Sequence, residues 1–147
     1  MNKDLRKLYP DLIKAHNQVP YHFEKRERAD DVVSAYNPIC GDRFDVYVDW
    51  DSKNTIGQIH FAGLGCSVSK ASTSILTKLL EGKTVEEALV LCTHFLSYLH
   101  KESGYDGLVL PEEFFSFSGV HDFPERLECA GLAWKEMKKF LLTKKKE

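Results

Sequence analysis

Phe44, Val46, Val48 and Trp50 alternate with Arg43, Asp45, Tyr47 and Asp49, and no other stretch of the chain constrains its fold so tightly. Successive side chains of a strand point to opposite faces, so this period of two predicts a half-buried strand. Asp51-Ser52-Lys53-Asn54 is a cluster of turn formers, and Thr55 to Ala62 then carries Ile56, Ile59 and Phe61 as a second strand. The two strands form an antiparallel hairpin. Its far end leads straight into Gly63-Leu64-Gly65-Cys66, after which the period becomes that of a helix.

Val68, Ala71, Ile75, Leu76, Leu79 and Leu80 share one helical face, and Gly82 stops that helix. Thr84, followed three residues on by Glu87, predicts a capping box for the next helix, whose apolar stripe is Val85, Ala88, Leu89, Cys92, Phe95, Leu96 and Leu99. Upstream, Leu5, Leu8, Leu12 and Ile13 predict an amphipathic first helix over 3 to 16, with Pro10 in its opening turn or kinking it. Residues 17 to 30 carry many charges and no clear period, so they read as a surface connection with His16 and His22 at its edges. A loop histidine of this kind is ordinarily solvated and becomes a ligand only where other donors meet it. Val32 and Val33 suggest a short first strand. Residues 101 to 122 read as a loop holding one helical turn around Phe114, Phe115 and Phe117. Asp122 as N-cap and Pro124 then open a last helix. Its buried stripe is Leu127, Ala130, Trp134, Met137 and Leu141, with Cys129 beside it.

The 147 residues suit one domain over 1–147, and 43% hydrophobic with 12% aromatic content supplies a core that needs no metal merely to fold. A formal net charge of −2 argues against a nucleic-acid or anionic-membrane partner. No run of about eighteen apolar residues is present to span a bilayer. Lys144, Lys145 and Lys146 read as a solvated helix end. Met1-Asn2-Lys3-Asp4-Leu5-Arg6 is charged and lacks the apolar core of a secretory segment, so a cytoplasmic location is expected. In that reducing compartment Cys40, Cys66, Cys92 and Cys129 are expected to be ligands, nucleophiles or core residues rather than disulfides.

In Tyr36-Asn37-Pro38-Ile39-Cys40-Gly41-Asp42 a proline turn delivers a thiol and, two residues later, a carboxylate. On an extended segment the two side chains point the same way, and Gly41 lets the backbone turn closely around an ion. This is half of a metal site, or else an ordinary Asn-Pro turn followed by a capping Asp. Gly65-Cys66-Ser67-Val68-Ser69 places a second thiol at a strand-to-helix transition, where free N–H groups and the helix dipole stabilise a thiolate. Its alternative role is that of a small residue in a tight glycine-rich turn. Cys92, inside an apolar stripe, reads as a small buried hydrophobe. The intervals between successive cysteines, 26, 26 and 37 residues, match no zinc finger or CxxC motif, so only the fold can gather them. Cys40, Cys66 and Cys129 with Asp42 would make a four-coordinate set suited to Zn²⁺, and its one carboxylate would make it more exchangeable than four thiolates.

Three motifs follow one another along the chain: Asn37-Pro38-x-Cys40-Gly41-Asp42-Arg43, then Phe61-x-Gly63-x-Gly65-Cys66-Ser67-x-Ser69-x-Ala71-Ser72, then Phe123-Pro124-x-Arg126-x-x-Cys129-Ala130-x-Leu132-Ala133-Trp134. In order and spacing they resemble the SufU branch of the IscU/NifU N-terminal domain family over roughly residues 30 to 143, and Gly82-Lys83-Thr84-x-Glu86-x-Ala88 is similar to a further family step. The resemblance implies an α/β (α+β) fold, a small three-stranded antiparallel sheet packed against about five helices. An insert at about 101–122 is what separates SufU-like chains from shorter IscU scaffolds. The resemblance also implies Zn²⁺ on Cys40, Asp42, Cys66 and Cys129, docking on a SufS-like cysteine desulfurase, and sulfur acceptance by Cys40. Downstream partners would be an Fe–S scaffold or apo-proteins.

Two other functions share those donors: a scaffold assembling a [2Fe–2S] cluster on Cys40, Cys66 and Cys129, and a degenerate relative whose zinc is structural. The chain departs from the family in two places. His16-Asn17-Gln18-Val19-Pro20-Tyr21-His22 stands where the family reads His-Tyr-x-Asn-Pro-Arg-Asn. Glu128 precedes the last cysteine where His or Lys is usual, and is either an alternative ligand or an exposed helix-turn carboxylate. Arg43 and Arg126 are the nearby cations.

Overall fold

A computed structural model describes residues 10–101 and 110–145; the Leu5 and Leu8 portion of the expected first helix, Lys146, and part of the insert lie outside them. Three antiparallel strands, β1 (Asp31–Tyr36), β2 (Arg43–Ser52) and β3 (Thr55–Leu64), lie in the order β1-β2-β3. Val46 of β2 stands opposite Val33 of β1 and Phe61 of β3. This register stacks the alternating apolar residues on one face, where Phe44, Val46, Val48, Ile56, Ile59 and Phe61 are all buried. The expected hairpin is present, with β3 running on through Gly63 to Leu64.

Four α-helices, α1 (Asp11–Gln18), α2 (Ser67–Leu80), α3 (Val85–Leu99) and α4 (Glu125–Lys145), and a 3₁₀ helix over Glu112–Asp122 complete the described architecture. The fold is α+β, as the resemblance implied. Gly82 ends α2 with a φ of +77°, a conformation that costs glycine little. The capping box on α3 is formed: Glu87 N–H donates to Thr84 Oγ1 at 3.1 Å and Thr84 N–H to Glu87 Oε1 at 3.0 Å. Cys92 is fully buried in that helix, and burial pushes its thiol up to about 12. Trp134 of α4 fills the centre, its ring 4.4 Å from that of Phe95 and 5.7 Å from that of Phe114.

Several expectations are corrected. Pro10 stands just before α1, which begins at Asp11 and extends past His16 to Gln18. Asp122 is not the N-cap of the last helix: the 3₁₀ helix runs through it, and α4 starts at Glu125 after Pro124. The expected single helical turn is an eleven-residue 3₁₀ helix, because Phe114, Phe117 and Val120 all find room in the core. The 17–30 connection is stitched to β3, with Phe61 N–H donating to His22 C=O at 3.0 Å and Glu24 N–H to Phe61 C=O at 2.8 Å. Lys144 is held as well, 3.4 Å from Asp31 and over the rings of Trp50 and Phe140. No described helix is long and apolar enough to cross a membrane.

Candidate metal centre

The turn joining β1 to β2 carries Cys40 and Asp42. It is tighter than an extended segment: Asn37 C=O accepts Gly41 N–H at 2.7 Å, Asn37 Oδ1 accepts Ile39 N–H at 3.1 Å, and Asn37 N–H donates to Asp42 C=O at 2.9 Å. Gly41 makes the reversal possible with a φ of +78°. Cys40 Sγ therefore meets Asp42 Oδ2 at 3.1 Å because the chain folds back, not because strand side chains alternate.

Asp42 is 2% exposed and ties the turn to the β3–α2 junction, its Oδ1 accepting Cys66 N–H at 3.0 Å. Cys66 is the N-cap of α2, with extended backbone and a thiol that accepts Ser69 N–H at 3.5 Å. Gly65 precedes it because a Cβ there would lie 2.7 Å from the Phe44 ring. Ser69 is a site residue that sequence reading passed over. Its signal was legible, since the residue three positions after an N-cap offers its N–H to the cap side chain.

Cys129, on the second turn of α4 and 2% exposed, brings its Sγ to 3.6 Å from Cys40 Sγ. Cys40, Asp42 and Cys129 thus place three donor atoms within 4.8 Å of one another, the only such trio among the described residues. Cys66 stands outside the trio, its thiol electrostatically linked to that of Cys129. That link, with the Ser69 N–H, lowers the Cys66 thiol well below its ordinary value, while the link and burial push Cys129 up.

The two thiols and one carboxylate of the trio are donors of the kind a tetrahedral zinc ion takes. Zinc bonds of about 2.3 Å to sulfur and about 2.0 Å to oxygen put neighbouring donors roughly 3.5 to 3.8 Å apart. The 3.6 Å sulfur–sulfur separation falls within that spacing, while the 3.1 Å Cys40–Asp42 pair is a hydrogen bond shorter than it. His16 and His22 are committed elsewhere. His16 Nδ1 lies 2.6 Å from Ser74 Oγ, and His22 Nδ1 lies 2.9 Å from both Ile59 C=O and Glu81 Oε2. Glu128 is exposed, outside the trio, and faces a groove with His100, Lys135 and Lys138. Arg43 lies over the Tyr36 ring, 4.6 Å from its centre.

Residues 8–139 match the family model of the NifU-like N terminal domain. The chain is 34% identical over 134 residues to the iron-sulfur cluster assembly scaffold protein IscU of Streptococcus pyogenes serotype M1, covering 91% of this chain and 82% of that protein. It is 34% identical over 139 residues to the zinc-dependent sulfurtransferase SufU of Bacillus subtilis, covering 94% and 92%. The crystal structure of FiSufU from Fervidobacterium islandicum AW-1, a candidate iron-sulfur cluster assembly scaffold of the SUF system, superposes with a TM-score of 0.79. Identity to it is 27%, over 94% of this chain and 99% of that one. With residues 8–139 matched to that domain and the fold shared, the chain belongs to the NifU-like N-terminal domain family of SufU and IscU.

Proposed function

We propose that this protein serves iron–sulfur cluster assembly as a sulfur acceptor, taking persulfide sulfur from a cysteine desulfurase onto Cys40. A Zn²⁺ would be held by Cys40, Asp42, Cys66 and Cys129. The observation that carries the reading is the uneven exposure of the donors: Asp42 and Cys129 are buried, while Cys40 is exposed at the tip of its turn. Bound there, zinc would keep the thiols deprotonated and protect them from oxidation.

Cys40 Sγ attacks the outer sulfur of the desulfurase persulfide. A bond forms between that sulfur and Cys40 as its bond to the desulfurase cysteine breaks, and the desulfurase thiolate leaves with the electron pair. No outside oxidant or reductant is needed. Cys40 attacks as the thiolate, and Asp42 Oδ2, 3.1 Å from its Sγ, sits beside it in the same turn. Ile39 and Leu64, 95% and 81% exposed, surround it with apolar surface of the kind a partner covers. A cleft of about 500 Å³ beside the turn adds Lys25, Tyr36 and Arg43 to that face. Four free thiols suit the cytoplasm.

The likeness to a protein named as an IscU scaffold favours a second reading, assembly of a [2Fe–2S] cluster on Cys40, Cys66 and Cys129. The test is desulfurase turnover of cysteine with and without this protein. Stimulation by the wild type, abolished in Cys40→Ser while circular dichroism and fold persist, is expected. No stimulation by the wild type, together with a reconstituted cluster that transfers to an apo-protein, would select the scaffold. No stimulation and no transferable cluster would leave only a structural zinc.

A further inference from the structure

We infer that Ser72 and Trp134 are positioning residues for the metal centre, fixing the register of α4 so that Cys129 faces the other donors. The inference rests on the metal-site reading above. Two donors sit on different helices, Cys66 at the start of α2 and Cys129 near the start of α4. The Ser72 hydroxyl of α2 donates to the C=O of Ala130, the residue after Cys129, at 2.5 Å. The same hydroxyl accepts from Trp134 Nε1 at 3.0 Å.

Ala130 and Trp134 are four residues apart, so Ser72 grips one whole turn of α4 at both ends. Ser72 is 1% exposed and Trp134 fully buried, so water cannot replace either bond. The Trp134 ring cannot swing away, because Phe95 and Phe114 flank it. A hydroxyl has one proton to give and lone pairs to accept with, and here both capacities are used on α4. Side-chain atoms stand roughly 5 Å from a helix axis, so a twist of α4 by about 10° would move Cys129 Sγ by roughly 1 Å. That is enough to spoil the 3.6 Å meeting with Cys40 Sγ.

The test compares wild type, Ser72→Ala, Trp134→Phe and Cys92→Ala, the last a buried core change on α3, a helix that carries none of the donors. Each protein is titrated with Zn²⁺ against a chromophoric chelator, its Co²⁺ absorption spectrum is recorded, and its thermal midpoint is measured. Ser72→Ala and Trp134→Phe are expected to bind zinc about 10-fold or more weakly and to shift the Co²⁺ d–d bands. Cys92→Ala is expected to lower the midpoint while keeping wild-type affinity and spectrum. Wild-type affinity and spectrum in Ser72→Ala or Trp134→Phe overturn the inference, as does an equal loss in Cys92→Ala. If Ser72→Ala does not fold, Trp134→Phe, which keeps an aromatic ring in place, decides. A wild type that takes up neither metal sinks the metal-site reading along with this one; metal-binding wild type with indifferent variants sinks this one alone.

Discussion

Asp42 is the residue on which the centre turns, because its two oxygens serve two different elements. Oδ2 receives the Cys40 thiol within its own turn, and Oδ1 receives the Cys66 amide from the helix start. Alanine at this position would remove a donor and leave the Cys66 N–H without its partner, in a place where an unmade hydrogen bond costs about 1 to 3 kcal/mol. Asp42→Ala is therefore expected to change the rate at which a chelator removes zinc and to lower desulfurase stimulation roughly 10-fold or more. Wild-type values of both would show that Asp42 is not a ligand. The exposed Cys40 and the buried Cys129 differ for a related reason. One is at the tip of a turn and the other is on a helix packed against α2, so only the first can meet a partner's sulfur.

The decisive element is the β2–β3 hairpin, whose end brings its own strand, the Cys40 turn and the start of α2 together. Gly63 makes that approach possible. Its φ is +146°, and a Cβ there would lie 2.0 Å from the Arg43 carbonyl oxygen, a backbone atom that cannot move aside cheaply. Gly63→Ala is expected to destabilise the protein by at least about 2 kcal/mol, read as a lower urea midpoint. A wild-type midpoint would show that the strand end is free to shift. Helix α2 shows how an element can serve both core and site. Its start caps itself with the Cys66 thiol, while Ser72 and Ser74 further along bind α4 and the His16 side chain.

For the whole molecule, two buried histidines set how stability depends on pH. Burial holds His16 below its ordinary value of 6.5, with Lys78 adding to the effect. Burial also lowers His60, helped by Arg26 and His22, and His60 Nδ1 has no hydrogen-bond partner among the described residues. Both groups bind a proton more readily in the unfolded chain. Their contribution is thus complete above about pH 6.5 and lost as pH falls through the lowered folded-state values. The urea midpoint is expected to drop between about pH 7.5 and about pH 5.5, and the double variant His16→Gln, His60→Gln should flatten that drop. An equal slope in the double variant would assign the acid sensitivity to other groups.

The hairpin, both helix caps flanking Gly82 and Thr84, and the buried stripe of α3 were written in local periodicity and side-chain chemistry, which act between residues close in sequence. So were Cys40 and Asp42 as a pair, although a tight turn rather than an extended segment joins them. The family motifs likewise stand in the sequence in order. The burial of His16, the pinning of Lys144 and the long 3₁₀ helix were not legible there, because each depends on a surface supplied from far along the chain. The same holds for the site: the sequence offered three thiols and a carboxylate as candidates, but only tertiary packing set Cys129 against Cys40, left Cys66 outside that trio, and put a serine hydroxyl between α2 and α4. Distances between segments dozens of residues apart are fixed by how side chains fill the shared core, and no local pattern encodes that volume.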